Sequence, residues 1–316
     1  MILTRIEVAT WLRHRDHFLI ISHRRPDGDT LGSTAALCLG LRQLGKEAYI
    51  LENPEITELY KHLHKGLTKA TADAEDVLIT VDVASPSMLE ERAKALQDRI
   101  ALRIDHHCTA TSFTTDELVD GEAGACGEII YDILRLLGVK LDKQLAEALY
   151  TAVSTDTGCF RYANTTAHSF AVAAACAEAG GDLHSINQRV FDTNSLARLK
   201  IQGWIIENMR LLHQGQIAVC ALPLSVEKSI GVNEDDMENI SGFPRSIAGV
   251  KIAATLRQSE DGKVKISVRA LPGYDASQVC AAFGGGGHKG AAGANTDLPL
   301  ETAADRVAEE MLRLFA

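Results

Sequence analysis

The chain has 316 residues, a length that suits two domains at roughly 150 residues each. Its formal net charge of −10 argues against long duplex DNA as the main partner, because binding a phosphate backbone leaves a broad basic surface. No apolar run reaches the roughly 18 residues of a membrane span, and the charged, periodic N-terminus is unlike a secretory signal.

In chain order, residues 18–22 are a short apolar run that predicts a buried strand. Residues 30–44 predict a helix stopped at Gly45, 47–51 a second strand, 77–81 a third, 88–97 a helix and 100–104 a fourth strand. Short buried strands alternating with helices imply a parallel sheet with helices on both faces. Helices are expected at 124–137, at 142–154 with Asp142 as N-cap, at 166–179 and at 183–190. Residues 192–212 read as a helical connector. Beyond it come a strand at 216–222, a hairpin of 250–258 with 263–270 around Asp261-Gly262, and a short helix at 276–282. A glycine run at 284–287 follows, then small residues read as helical, then an amphipathic helix at 299–315 with Pro299 near its first turn. The fold class is therefore α/β. An N-terminal parallel-sheet domain spans 1–191, a helical connector 192–213 and a smaller α/β domain 214–316.

The seven cysteines form no CxxC pair, which suits reduced thiols in a cytoplasmic protein.

Chemistry concentrates where elements end. His23-Arg24-Arg25-Pro26-Asp27-Gly28-Asp29 lies between a strand and a helix, where ligands bind in open α/β sheets. Asp27 and Asp29 can face different cations and His23 can add a nitrogen ligand. The plainer reading is a turn with Asp29 near the N-cap of the next helix. Asp82 follows the strand at 77–81, as a bridging carboxylate or as a cap for the segment after Pro86. Asp105-His106-His107 follows the strand at 100–104. Asp156 ends a helical run, where the negative dipole end disfavours a carboxylate unless a cation lies nearby. Oxygen-rich sites with some imidazole and no thiolate suit manganese or magnesium better than zinc. Two such cations suit phosphoester hydrolysis.

The second motif is Gly284-Gly285-Gly286-Gly287-His288-Lys289-Gly290. Glycines let backbone N–H groups approach an anion closely, and His288 and Arg269 can add charge-assisted bonds to phosphate. A flexible linker is the alternative.

Together these segments resemble the DHH-family phosphoesterases, in particular the nanoRNase/pAp phosphatase group, which joins a DHH domain to a DHH-associated C-terminal domain. The resemblance rests on HRRPDGD at 23–29 with Gly32-Ser33, on Val81-Asp82, on Asp105-His106-His107, on STDTGCFRY at 154–162 with Asn164-Thr165-Thr166, and on GGGGHKGAAG at 284–293. It implies that His23 and Asp27 hold one metal, that Asp29, His106 and Asp156 hold the other, and that Asp82 bridges both. His107 would contact the scissile phosphate as acid or electrostatic stabiliser, and Asp105 would orient the histidine pair. Arg161 would lie near the substrate. Arg269, Gly284, Gly285, Gly286, Gly287 and His288 would grip a distal phosphate or 5′ end. Gly290 is a departure, since relatives often carry a bulkier or charged residue there; it bears on substrate preference and not on the chemistry.

The resemblance implies a hydrolase with two Mn²⁺ per chain, Mg²⁺ being the other option. Its substrates would be short 5′-phosphorylated oligoribonucleotides, cleaved to mononucleotides, with 3′-phosphoadenosine 5′-phosphate as a further candidate. A soluble cyclic-dinucleotide or linear-dinucleotide phosphodiesterase is the alternative. Pyrophosphate fits the glycine-rich motif less well than a nucleotide does. A nuclease of long single strands is disfavoured by the acidic balance. A catalytically dead binding protein would lack at least one ligand, and none is missing. No membrane partner is implied, and a homodimer is left open.

Overall fold

The computed structural model describes residues 1–107, 111–237 and 240–315, so Cys108 lies outside the described residues. The chain divides into two compact units, Met1–Thr193 and Asn194–Ala316.

The first unit runs α1 (Arg5–Arg13), β1 (Phe18–Ile21), α2 (Gly28–Gln43), β2 (Ala48–Leu51), β3 (Thr68–Lys69), β4 (Val77–Val81), α3 (Glu91–Lys94), β5 (Ile100–Asp105), β6 (Asp116–Val119), α4 (Cys126–Leu137), α5 (Lys143–Asp156), α6 (Ala167–Glu178) and α7 (Leu183–Asn187). A π turn, Gln188–Asp192, follows α7 and ends the helix expected at 183–190. The strands lie in the order β3-β2-β1-β4-β5-β6, and every pairing is parallel. Parallel strands are covered on both faces, so alternate residues enter different cores. Phe18 and Ile20 of β1 join the cluster that holds Leu31 and Leu37 of α2 and Leu149 of α5. Leu19 and Ile21 face the other way, onto Leu78, Leu89, Ala93 and Ile100. Each fully buried aliphatic side chain contributes about 1.5–3 kcal/mol.

The helix expected at 88–97 is broken into α3 and flanking 3₁₀ turns. Met88 and Leu89 are used elsewhere: the Met88 carbonyl accepts from Arg24 N at 2.7 Å, and His23 bridges Leu89. Those contacts fix the loop after β1 and leave residues 88–89 unable to continue a helix.

In antiparallel contact, α2 and α5 approach closely. A Cβ at Gly32 would stand 2.4 Å from the Ala148 carbonyl oxygen, and one at Gly28 would stand 2.5 Å from the Thr155 side chain. Only glycine fits at such spacing. The approach brings the first turn of α2 beside the last turn of α5.

The second unit contains α8 (Leu196–Asn208), β7 (Arg210–Leu212), β8 (Ile217–Leu222), α9 (Leu224–Ile230), a 3₁₀ turn (Ile240–Ser246), β9 (Ile252–Gln258), β10 (Val264–Ala270), α10 (Ala276–Ala281), β11 (Gly286–Gly287), β12 (Ala291–Thr296) and α11 (Leu300–Arg313). The stretch 192–213, expected as a connector, supplies α8 and β7 of this unit. Its sheet has the order β11-β12-β10-β9-β8-β7, parallel only between β8 and β9 among the described strands. Ile217 and Val219 meet Val307 and Met311 of α11 on one face. Cys220 and Leu222 meet Ile201 and Ile205 of α8 on the other. The small residues after Lys289, expected as helical, are strand β12: Ala292 and Ala294 alternate inward, and their size permits the close glycine strand beside them.

Candidate metal centre

Strands β1 and β4 are neighbours whose chain connections leave in opposite directions across the sheet, so a crevice opens beyond their carboxyl ends. Three loops enter it: His23 to Asp29 after β1, Asp82 after β4, and Asp105 to His107 at the end of β5. Asp156 reaches it as the last residue of α5.

Asp27 is the N-cap of α2, and Asp29 lies near it as expected: Asp27 Oδ1 accepts from Thr30 N at 3.1 Å. Asp29 lies in the first turn and is buried. Its Oδ1 accepts from Ser33 Oγ at 2.9 Å and from Gly127 N at 3.0 Å, and its Oδ2 from Cys126 N at 2.7 Å. The first N–H groups of α4 thus hold this carboxylate in place.

Asp82 adopts φ +61°, a left-handed conformation costly for a residue with a Cβ. Its Oδ2 accepts from Thr30 Oγ1 at 2.6 Å. Its Oδ1 is buried and has no hydrogen-bond partner among the described residues. An acceptor left so costs about 1–3 kcal/mol unless something outside the chain satisfies it.

His106 Nδ1 lies 3.2 Å from the Ala123 carbonyl, which can only accept, so Nδ1 carries the proton and the Nε2 lone pair faces the crevice. There Nε2 stands 3.7 Å from Asp29 Oδ2, 3.6 Å from Asp82 Oδ1 and 3.8 Å from Asp156 Oδ2. These separations are too long for hydrogen bonds. They fall between the cis and trans spacings of an octahedral ion with bonds of about 2.1 Å, roughly 3 and 4.2 Å. His23 likewise turns Nδ1 to the Arg24 carbonyl, at 2.6 Å, and leaves Nε2 free.

The ligand atoms fall into three groups, each within 4.8 Å: His23, Asp27 and Asp82; Asp29, His106 and Asp156; and Asp82, His106 and His107. Asp82 belongs to both of the groups that contain His107 or His23, and His106 touches it from the remaining one. Carboxylates and imidazoles with no thiolate, around a buried oxygen that lacks a donor, fit two small divalent cations.

The charges agree. Burial, with the negative charges of Asp82, Asp156 and Asp27, pushes the Asp29 carboxyl well above its usual range. Burial and Asp27 push Asp82 up, partly offset by the three histidines. Burial lifts Asp156 to about 6 against the pull of His106. His107 is raised to about 9, first by its 2.8 Å bond from Nδ1 to Asp105 Oδ1. That same Asp105 oxygen accepts from the backbone N of His106 and His107.

Several organising residues escape a reading by motif. Asn164 Nδ2 spans the Gly124 carbonyl at 2.8 Å and Asp156 Oδ2 at 3.2 Å. Arg103, almost fully buried, bonds Glu117 at 3.0 Å and the carbonyls of Ala84 and Thr111, tying the loop after Asp82 to the loop after His107. A charged residue inside an apolar strand was the one available signal for Arg103.

Arg161 lies in the same unit, exposed, with Nε donating to the Gly158 carbonyl at 2.7 Å. Arg269, the glycines and His288 belong to the second unit, where they share one end of the sheet. Arg269 pairs with Ala291, and Gly286 and Gly287 form the edge strand against β12. A Cβ at Gly285 would stand 2.2 Å from the Gly293 carbonyl oxygen, and Gly287 adopts φ +143°. The hairpin therefore needs glycine there whatever it binds. His288 is exposed at its turn.

Residues 17–153 match the family model described as DHH family, N-terminal domain, and residues 214–315 match the DHHA1 domain. A protein of Thermus thermophilus named bifunctional oligoribonuclease and PAP phosphatase NrnA is 32% identical over 303 residues, covering 92% of this chain and 87% of that one. The chain belongs to the DHH family. A cyclic-di-AMP phosphodiesterase, PdeA of Listeria monocytogenes, is a more distant relative, 22% identical over 86% of this chain and only 44% of its own length. In fold, this DHH protein is similar to an exopolyphosphatase-related protein from Bacteroides fragilis, with TM-score 0.89, 23% identity and coverage of 98% and 96% of the two chains.

Proposed function

We propose that this DHH protein is a phosphoesterase that uses two divalent cations, Mn²⁺ foremost, to cleave short 5′-phosphorylated oligoribonucleotides to mononucleotides, and that it also converts 3′-phosphoadenosine 5′-phosphate to AMP. The observation that carries the reading is Asp82 Oδ1, buried and without a donor, among His23, Asp27, Asp29, His106 and Asp156. The names of the Thermus relative and the family support the substrate class.

His23 and Asp27 would hold one cation, Asp29, His106 and Asp156 the other, with Asp82 shared. Bound there, the pair supplies positive charge to the phosphoryl oxygens and acidifies water. The remaining work belongs to side chains. Asp105 fixes His107 through Nδ1 and favours its protonated form, so Nε2 can donate to a phosphoryl or leaving oxygen. Arg161 would meet substrate beside the centre. Arg269, His288 and the backbone of Gly284 to Gly287 would bind a phosphate of the substrate. Among the described residues no helix is long and apolar enough to cross a membrane, and six free cysteines are present. The free cysteines support a cytoplasmic enzyme.

The test is a product assay with Mn²⁺, offering a 5′-phosphorylated diribonucleotide, 3′-phosphoadenosine 5′-phosphate, cyclic di-AMP and pyrophosphate, with His106→Ala as control. Mononucleotide from the first substrate is expected. Turnover of cyclic di-AMP or pyrophosphate alone would keep the chemistry and overturn the substrate. Equal activity in His106→Ala would overturn the centre.

A further inference from the structure

We propose that Thr30 is a positioning residue that divides the two oxygens of Asp82 between tasks, its own hydroxyl taking Oδ2 so that Oδ1 is left for the cations. The inference rests on the two-cation reading above. Thr30 is fully buried in the first turn of α2. Its Oγ1 stands 2.6 Å from Asp82 Oδ2 and 3.2 Å from Asp27 Oδ1, and its backbone N donates to that same Asp27 oxygen at 3.1 Å. A hydroxyl has one proton, and the shorter contact assigns it to Asp82. Asp27 Oδ1 then accepts from the Thr30 N–H, which leaves Asp27 Oδ2 as the oxygen available to a cation. One residue thereby fixes which oxygen of each of two carboxylates is available.

The geometry explains how a carboxylate on a loop with φ +61° keeps one orientation with an unpaired buried oxygen. A half turn about its last bond only exchanges two equivalent oxygens, and any smaller rotation breaks the 2.6 Å bond, so one oxygen stays with Thr30 and the other is left over. Ser33 plays the parallel part for Asp29, one turn later in the same helix, but there two backbone N–H groups share the task. Among the described residues Asp82 has no such reserve: the hydrogen-bond donor to its carboxylate is Thr30.

The experiment is a calorimetric Mn²⁺ titration of the full-length protein and of Thr30→Ser, Thr30→Val and Thr30→Ala, without substrate, with thermal melts alongside. The parent should bind two equivalents. Thr30→Ser, which keeps the hydroxyl, should bind them about as tightly. Thr30→Val keeps the shape and should bind 10–100-fold more weakly, as is typical when a partner of a metal ligand is lost. Excess Mn²⁺ should restore its turnover, which a merely misfolded variant would not allow. If Thr30→Val melts too low to titrate, Thr30→Ala serves in its place with the same expected loss. Parent-like affinity in Thr30→Val or Thr30→Ala overturns the proposal, as does a Thr30→Ser protein as weak as Thr30→Val, which would make packing the cause. A parent that binds no Mn²⁺ pair would instead overturn the two-cation reading itself, and this proposal with it.

Discussion

Asp82→Asn should move the stability of this protein in opposite directions with and without metal. The amide oxygen can keep the Thr30 hydroxyl bond, which places an NH₂ where the unpaired Oδ1 stood. Without cations, the change removes one carboxylate from a cluster in which burial first, and then the charges of Asp27 and Asp82, lift Asp156 to about 6 against the pull of His106. Relief of about 1 kcal/mol is reasonable for one of several contributors, since each pKa unit corresponds to about 1.4 kcal/mol. For a unit of this size 1 kcal/mol is roughly 2–4 °C, so the metal-free variant should melt a few degrees above the parent. With Mn²⁺ at about 100 times its dissociation constant, the parent gains about 2.7 kcal/mol, roughly 5–10 °C, and the variant should gain almost none. Differential scanning calorimetry with chelator and with Mn²⁺ reads both arms. Turnover should be almost abolished while the fold survives. A variant that melts lower without metal, or that keeps the Mn²⁺-induced rise, would refute the assignment of Oδ1 to the cations.

The pH dependence of the metal-free protein follows from Asp156. Its folded-state pKa of about 6 exceeds the unfolded 3.8, so the folded form binds the extra proton between those values and loses stability as pH rises through that window. The melting temperature measured with chelator should be higher near pH 5 than near pH 7.5, and saturating Mn²⁺ should flatten that slope; a rise toward pH 7.5 would contradict it. Gly32→Ala should destabilise the first unit by about 1–3 kcal/mol in urea titrations, because the added methyl meets a backbone oxygen at 2.4 Å. Unchanged stability would mean that α2 and α5 separate easily. Arg269→Ala should raise KM more than it lowers kcat, and a pure loss of kcat would count against a role in gripping substrate.

Sequence alone determined the parts governed by short range. Apolar runs of four to six residues gave β1, β4 and β5 to within a residue, because alternate side chains must enter cores on both faces of a parallel sheet. Asp142 caps α5 by accepting from Leu145 N at 2.9 Å, and Gly262, at φ +83°, turns the hairpin between β9 and β10. Local chemistry suffices for both. The chain also displayed its candidate ligands, since each lies at or beside the end of a strand or a helix. Tertiary structure decided the rest. β6 was hidden because Asp116 and Glu117 look like loop residues until Arg103 neutralises Glu117 inside the fold. The 88–97 helix was lost to backbone contacts with the His23 loop, more than sixty residues earlier. Within the centre, the hydroxyl that orients Asp82 comes from Thr30 and the N–H groups that seat Asp29 come from Cys126 and Gly127. Such partners have no periodic or motif signature. They meet because α2 packs against the loop after β4 and against the first turn of α4, and that proximity exists only once the chain has folded.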